Sequence, residues 1–270
     1  MRIDKTINQI FKQGSIVYYY SSLFFPKEVK ADVFALYSFV RTADNFVDAI
    51  PQQTTEFADF FKMTRQALTG EKVANFVINS YMQVHRRHEI KDAWLIAFMR
   101  SMEMDLSINS YQTFADLEEY IYGSADVIGL MMAKIMNLPQ QSYHTAQKLG
   151  KAMQFLNFIR DIREDLALGR VYLPQADLAE YKINHLTRDT PYVAELIRYE
   201  VNRYYHIQKE AEAGYQYLPD KYLYPIKTAA DMYLWTARKI ESNPLIVFDK
   251  KVKPKKWQVV GRYLANRFGK

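Results

Sequence analysis

The stretch Gln154-Phe155-Leu156-Asn157-Phe158-Ile159-Arg160-Asp161-Ile162-Arg163-Glu164-Asp165 decides how this chain is read. At 3.6 residues per turn, Asn157, Asp161 and Asp165 fall at i, i+4 and i+8 and form one stripe of oxygen donors on a helix. Arg160 stands beside the stripe, Arg163 lies one turn further on, and Phe155, Leu156, Phe158, Ile159 and Ile162 supply apolar packing. Arg170-Val171-Tyr172-Leu173-Pro174 follows, so the run ends on a basic residue that can reach back toward the same place. The plainer alternative is a salt-bridged helix in which Arg160, Arg163 and Glu164 pair locally.

Working outward, a shorter version of the stripe stands in Arg41-Thr42-Ala43-Asp44-Asn45-Phe46-Val47-Asp48, with Asp44 and Asp48 at i and i+4. Alone, such a pair is an ordinary solvated face. Here Phe34, Leu36, Phe39, Val40, Phe46 and Val47 crowd the same helix, and carboxylates are seldom buried without a partner. Like charges one turn apart also repel, which a bound cation relieves. Two stripes facing each other across a gap suit Mg²⁺, an ion that takes one or two carboxylates and completes its octahedron with substrate phosphates and water. A diphosphate held by such ions and by arginines can depart as a neutralised anion. An allylic residue would be left as a carbocation, which needs an apolar, dry cavity. Aromatic faces stabilise cations, and 15% of the chain is aromatic, including Tyr18-Tyr19-Tyr20, Phe24-Phe25, Phe34, Phe39, Phe155 and Phe158. Any one of these rings is also ordinary core packing.

The helical apolar period recurs along nearly the whole chain. It predicts helices at about 27–49, 54–69, 73–87, 91–106, 113–136, 140–168, 190–217 and 225–242, punctuated by Pro26, Pro51, Gly70, Pro139, Gly169, Pro174, Pro219 and Pro244. Thr113 with Asp116, and Thr190-Pro191, read as helix starts. Gly and Pro number only 9 each in 270 residues, and no repeat or low-complexity linker interrupts the pattern. The expectation is a single all-α domain.

There is no Cys, which removes disulfides and thiolate metal sites and fits a reducing, cytoplasmic setting. The first residues do not read as a signal peptide, and the longest charge-free stretch, between Lys12 and Lys27, falls short of the roughly 20 residues of a membrane span. Net charge is +6, but eight basic residues against one acid lie between Asp249 and Lys270, so the rest of the chain is near −1. No basic face or motif points to nucleic acid. The division is therefore 1–248 as the helical domain and 249–270 as a basic tail. Within the tail, Trp257, Val260, Leu264 and Phe268 share one helical face behind Lys250 to Lys256. That reads equally as a peripheral membrane-surface helix at the inner face of the cell membrane or as a helix docked on the domain. His85-Arg86-Arg87-His88 reads as a surface patch. No Ser-His-Asp order, phosphate loop or dinucleotide fingerprint is present.

The chain resembles the squalene/phytoene synthase family of head-to-head prenyl transferases. The resemblance rests on Leu23-Phe24-Phe25-Pro26-Lys27-Glu28-Val29, Ala35 to Asp44, Tyr120-Ile121-Tyr122-Gly123, Gly129-Leu130-Met131-Met132, Gln154 to Asn157, Arg160-Asp161, Glu164-Asp165 and Gly169 to Pro174. The wording Arg41-Thr42-Ala43-Asp44 and the Leu-Met-Met ending are most similar to the phytoene synthase branch. The resemblance implies an all-α isoprenoid synthase fold, helices surrounding a central cavity. It implies Asp44 and Asp48 as a first Mg²⁺ motif (Mn²⁺ being an alternative ion) and Asn157, Asp161 and Asp165 as a second. Arg41, Arg160, Gln154 and Asn157 would serve the substrate diphosphate, and Tyr120 would stand near the reacting carbons. The implied reaction, a step toward carotenoids, joins two geranylgeranyl diphosphates through a cyclopropyl intermediate to give phytoene, without NADPH. The alternatives are the same chemistry on two farnesyl diphosphates, giving dehydrosqualene or squalene, a class I terpene cyclase, and a non-catalytic member of the fold. Three departures from the family pattern stand out. Asn45 replaces a second aspartate, Gly14-Ser15-Ile16-Val17-Tyr18 lacks an expected His and Lys, and Ser124-Ala125-Asp126 replaces Val-Ala-Gly and puts an extra acid near the cavity.

Overall fold

The computed structural model describes residues 3–269, whose regular structure is helical apart from one isolated bridge between Ser110 and Val171. The first half contains α1 (Lys5–Gly14), α2 (Ile16–Ser22), α3 (Lys27–Val47), α4 (Thr54–Leu68), α5 (Phe76–Arg87), α6 (Asp92–Met104) and α7 (Phe114–Ile121). The second half contains α8 (Val127–Ile135), α9 (Tyr143–Arg160), α10 (Ile162–Ala167), α11 (Gln175–Glu180), α12 (Val193–Glu212), α13 (Asp220–Ser242), α14 (Ile246–Asp249) and α15 (Lys256–Phe268). Side-chain caps explain several starts. Asp4, Ser15 and Asn75 accept from backbone N–H groups in the first turns of α1, α2 and α5, and Thr113 with Asp116 forms the reciprocal capping box that opens α7. At the other expected start the helix begins later, at Val193, after Tyr192 in the left-handed region.

α3 and α9 organise the molecule. α3 packs on α1, α4 and α5, while α9 packs on α8, α12 and α13. Phe34, Phe39, Phe155, Leu156 and Ile159 are fully buried between them and their neighbours. Two long expected helices are interrupted. The 113–136 run passes through a π-helical turn at Tyr122–Asp126, and such turns often accompany functional sites. The 140–168 run breaks at Asp161 (φ −100°, ψ 11°), although the amides of Asp161 and Asp165 still bond the carbonyls four residues back at 2.8 and 2.9 Å. α8 and the π turn approach α9 closely because Gly129 and Gly150 lack a Cβ; one would collide with the carbonyls of Ala146 and Ala125.

α1 and α2 were not resolved by the periodicity, since Gly14-Ser15 punctuates a polar and tyrosine-rich stretch. The His85–His88 segment is only in part a surface patch: Arg86 and Arg87 are exposed, but the segment also packs inward. His85 is buried, with Nε2 3.4 Å from Asp92, and Arg87 and His88 converge on buried Asp32 of α3 at 2.8 Å each. Arg86 donates to the Ala67 carbonyl at 2.8 Å. The four residues tie α5 to α3, α4 and α6.

Buried Glu200 on α12 pairs with Arg203 at 2.5 Å, and Arg203 also holds Asp177 of α11 at 2.7 Å. Burial pushes the Glu200 carboxyl up to about 8; Arg203 opposes the shift and Asp177 adds to it. A raised carboxyl pKa stabilises the fold below the unfolded value, and that contribution is lost as pH rises through about 8. Glu200→Gln, which mimics the neutral form, should therefore change thermal stability little at pH 4 and raise it relative to wild type at pH 9. Melting curves at the two pH values check this.

No described helix is long and apolar enough to cross a membrane. α15 lies on α13 and α2, where Val259 and Tyr263 are buried and the Tyr263 ring stacks on Phe24 at 3.6 Å.

Candidate active site

Both carboxylate stripes stand at helix C-termini. α3 ends at Val47 with Asp48 as its cap, and α9 ends at Arg160 with Asp161 as its cap. The negative ends of two helix dipoles thus add to the carboxylates and favour a cation there. The stripes face each other: Asp165 is half-buried, and its carboxyl is pushed up by desolvation first, then by Asp161 and by Asp48 from the opposite stripe. Asp44 is pushed up to about 7 by burial and by Asp48, against Arg41. Arg170, the basic residue beyond α10, closes the gap. Its guanidinium donates to Asp48 at 2.9 Å and to the carbonyls of Val47 and Asp105 at 2.6 and 3.1 Å.

Among the described residues, no three acidic or imidazole side chains converge in metal-ligating geometry. The arrangement shows why. Arg41 pairs with Asp44, Arg160 forks onto Asp161 through two 2.6 Å bonds, and Lys251 from the segment after α14 reaches Asp161 at 2.8 Å. Cations of the chain hold Asp44, Asp48 and Asp161. A donor set in which Asp44 and Asp165 are pushed up by burial and then by neighbouring carboxylates, flanked by arginines, fits ions bridged to phosphate rather than a cage built of protein alone. Asp44, Asp48, Asp161, Asp165 and the Asn157 oxygen could hold such ions, while Arg41 and Arg160 turn to the phosphate.

Asn157 and Gln154 are bonded to each other at 3.2 Å, and Tyr233 Oη lies 3.2 Å from Asn157 Oδ1 and 2.8 Å from Tyr18 Oη. From here a cavity of about 280 Å³ opens, lined near the stripes by Tyr18, Tyr37, Val40, Gln154 and Asn157 and deeper by residues such as Met132 and Leu218. Tyr18 and Tyr233 stack at 5.7 Å beside it.

Tyr120 stands elsewhere than the cavity wall. It is buried in a layer with Tyr111, Phe158 and Tyr172, and its hydroxyl donates to Asp105 at 2.6 Å. Tyr172 donates to the other Asp105 oxygen at 2.7 Å. Burial pushes Asp105 up to about 6, opposed by Arg170 and the two phenols. Asp105, Lys251 and Tyr233 were missed in the sequence; the one available signal was a lone acid in the apolar run Met104-Asp105-Leu106. Asp126 is not an acid of the cavity. Ser124 and Ala125 line the cavity, whereas Asp126 faces an outer groove with Glu118, Tyr122 and Lys151.

The chain is similar to known proteins along most of its length. A 15-cis-phytoene synthase of Synechococcus elongatus is 24% identical over 93% of this chain and 87% of its own. A 15-cis-phytoene synthase of Enterobacter agglomerans is 29% identical over 82% of this chain and 80% of its own. Among solved structures, a dehydrosqualene synthase superposes with a TM-score of 0.88 at 22% identity, covering 97% of this chain and 94% of that one. A squalene synthase of Alicyclobacillus acidocaldarius gives 0.77 at 21% identity, covering 88% and 92%. The fold is thus the all-α isoprenoid synthase fold. The family profile described as squalene/phytoene synthase matches residues 11–258, so this chain belongs to the squalene/phytoene synthase family and is an enzyme of the prenyl transferase type.

Proposed function

We propose that the protein joins two identical allylic prenyl diphosphates head to head, losing diphosphate in a Mg²⁺-dependent reaction. The observation that carries this reading is the meeting of two carboxylate stripes at the mouth of an apolar cavity. Bound Mg²⁺ would supply charge neutralisation of the departing diphosphate. Arg41 and Arg160 exchange their aspartates for phosphate oxygens and orient the group, with Gln154 and Asn157 beside them. The cavity keeps water from the allylic cation, and Tyr18, Tyr37 and Phe158 present aromatic faces in and beside the site. Tyr172, fixed together with Tyr120 by Asp105, stands beside Arg170, which holds Asp48.

For the substrate we adopt two farnesyl diphosphates, giving a C30 product of the dehydrosqualene or squalene kind. The support is the match to a dehydrosqualene synthase over nearly the whole of both chains. The C20 reading, two geranylgeranyl diphosphates to phytoene in carotenoid synthesis, is favoured by the phytoene synthases among its relatives. The location that goes with either is the cytoplasm, peripheral to the inner face of the membrane. Incubation with Mg²⁺ and each diphosphate in turn, with and without NADPH as the hydride donor that a squalene product needs, is read by product mass. A C30 hydrocarbon as the preferred product supports the farnesyl reading, a C40 hydrocarbon replaces it with phytoene synthesis, and a cyclised product of a single substrate overturns head-to-head condensation.

A further inference from the structure

α15 is apolar on two opposite sides. Its inner side, Val259 and Tyr263, is buried against α2 and α13. Its outer side carries Trp257, Leu264 and Phe268, which are 66%, 48% and 70% exposed and fall at i, i+7 and i+11, one stripe of the helix. Val260, partly exposed, lies beside them. Docking on the domain explains the inner stripe and leaves the outer one without an account. Large apolar groups gathered on one exposed face mark an interaction surface.

The charges around that face narrow the partner. Lys253, Lys255 and Lys256 precede or open the helix and are exposed, and Arg267 stands over the Phe268 ring at 5.4 Å. A second copy of the chain would bring like charges together around the patch. A partner with an apolar interior under an anionic surface satisfies both parts: Trp and Phe settle at the headgroup level, and lysines approach the acidic headgroups.

We propose that the outer face of α15, with the lysines before it, is a docking surface for an anionic lipid bilayer. This deepens the peripheral-membrane part of the proposed function and does not depend on the reaction. The location has a consequence. α15 rests on α2 and α13, and these helices supply Ser21, Ser22, Pro225 and Ile226 to the cavity wall. Docking would set that apolar wall within about one helix diameter, ~10 Å, of lipid, where a hydrocarbon product insoluble in water can be received.

The test is flotation of the full chain with vesicles of phosphatidylglycerol and phosphatidylcholine, and with phosphatidylcholine alone. Trp257 emission serves as a second readout. Wild type should float with the anionic vesicles only, with a blue shift of emission and loss of binding at high salt. Trp257→Ser, Leu264→Ser and Phe268→Ser combined should weaken binding about tenfold or more, and so, separately, should Lys253→Gln, Lys255→Gln and Lys256→Gln combined. These side chains are solvent-exposed, so an unchanged thermal midpoint establishes that the variants are folded. Failure of wild type to float, equal binding to neutral vesicles, binding indifferent to both sets of substitutions, or a dimer dissolved by the apolar set would each overturn the proposal. None of these readouts involves turnover, so they stand apart from the test of the reaction.

Discussion

Asp165→Asn leaves the metal-free protein at least as stable as wild type and lowers turnover by about 10²–10³-fold, the range for loss of one preorganised electrostatic group. The two halves of this result have one cause. Asp165 is half-buried, and desolvation, then Asp161 and Asp48, push its carboxyl up. In a folded protein without metal, its charge is therefore a liability near neutral pH, and an amide of equal size removes it. That same unfavourable charge is what a metal-bridged diphosphate would require, a local cost in stability kept for function. Thermal melts at pH 7 without metal, beside product formation at saturating Mg²⁺, give both numbers. Full activity in the variant, or a large loss of stability, would remove Asp165 from the site.

Arg170→Ala, by contrast, should lose both. Arg170 is buried and joins Asp48, the Val47 and Asp105 carbonyls and the Tyr172 hydroxyl. Asp48 is exposed, so the cost lies in the Val47 and Asp105 carbonyls left without their donor, about 1–3 kcal/mol for each group, and releasing Asp48 from its position costs on the order of 10²-fold in rate. Arg170→Lys restores the charge but not the planar fork that reaches Asp48 and two carbonyls together, so it should rescue stability only partly and activity little. Denaturant unfolding and steady-state rates of the three proteins check the order wild type, Lys, Ala. Equal behaviour of Lys and Arg at this position would mean that the charge alone matters.

The stripes could be read because their geometry is local: Asp44 with Asp48, and Asn157 with Asp161 and Asp165, are set by one helical period. The all-α architecture was legible for the same reason. What holds the stripes in place was not. Asp105 meets Arg170 and Tyr172 across more than sixty residues, and Lys251 reaches Asp161 from ninety residues away. No spacing rule encodes such pairings. The break of the 140–168 helix falls on Asp161 itself, where the apolar pattern continues unbroken through Ile162. Arg170 was expected to reach back to the site, and its guanidinium goes to the other stripe, at Asp48. In α15 the wheel displayed the stripe of Trp257, Leu264 and Phe268, yet the side that docks is the narrower one of Val259 and Tyr263. Which of two apolar faces meets the domain depends on the partner surface, here Phe24. At Asp126, one residue on a π turn separates a side chain in the cavity from one in the outer groove.

The central claim is that the two stripes act together on a diphosphate through divalent ions. Calorimetric titration of inorganic diphosphate into the protein, with and without Mg²⁺, tests it directly. The account predicts binding that requires Mg²⁺ and is lost when Asp44→Asn or Asp165→Asn removes one carboxylate from either stripe. Diphosphate binding of equal strength without Mg²⁺, or unchanged in both variants, would contradict it.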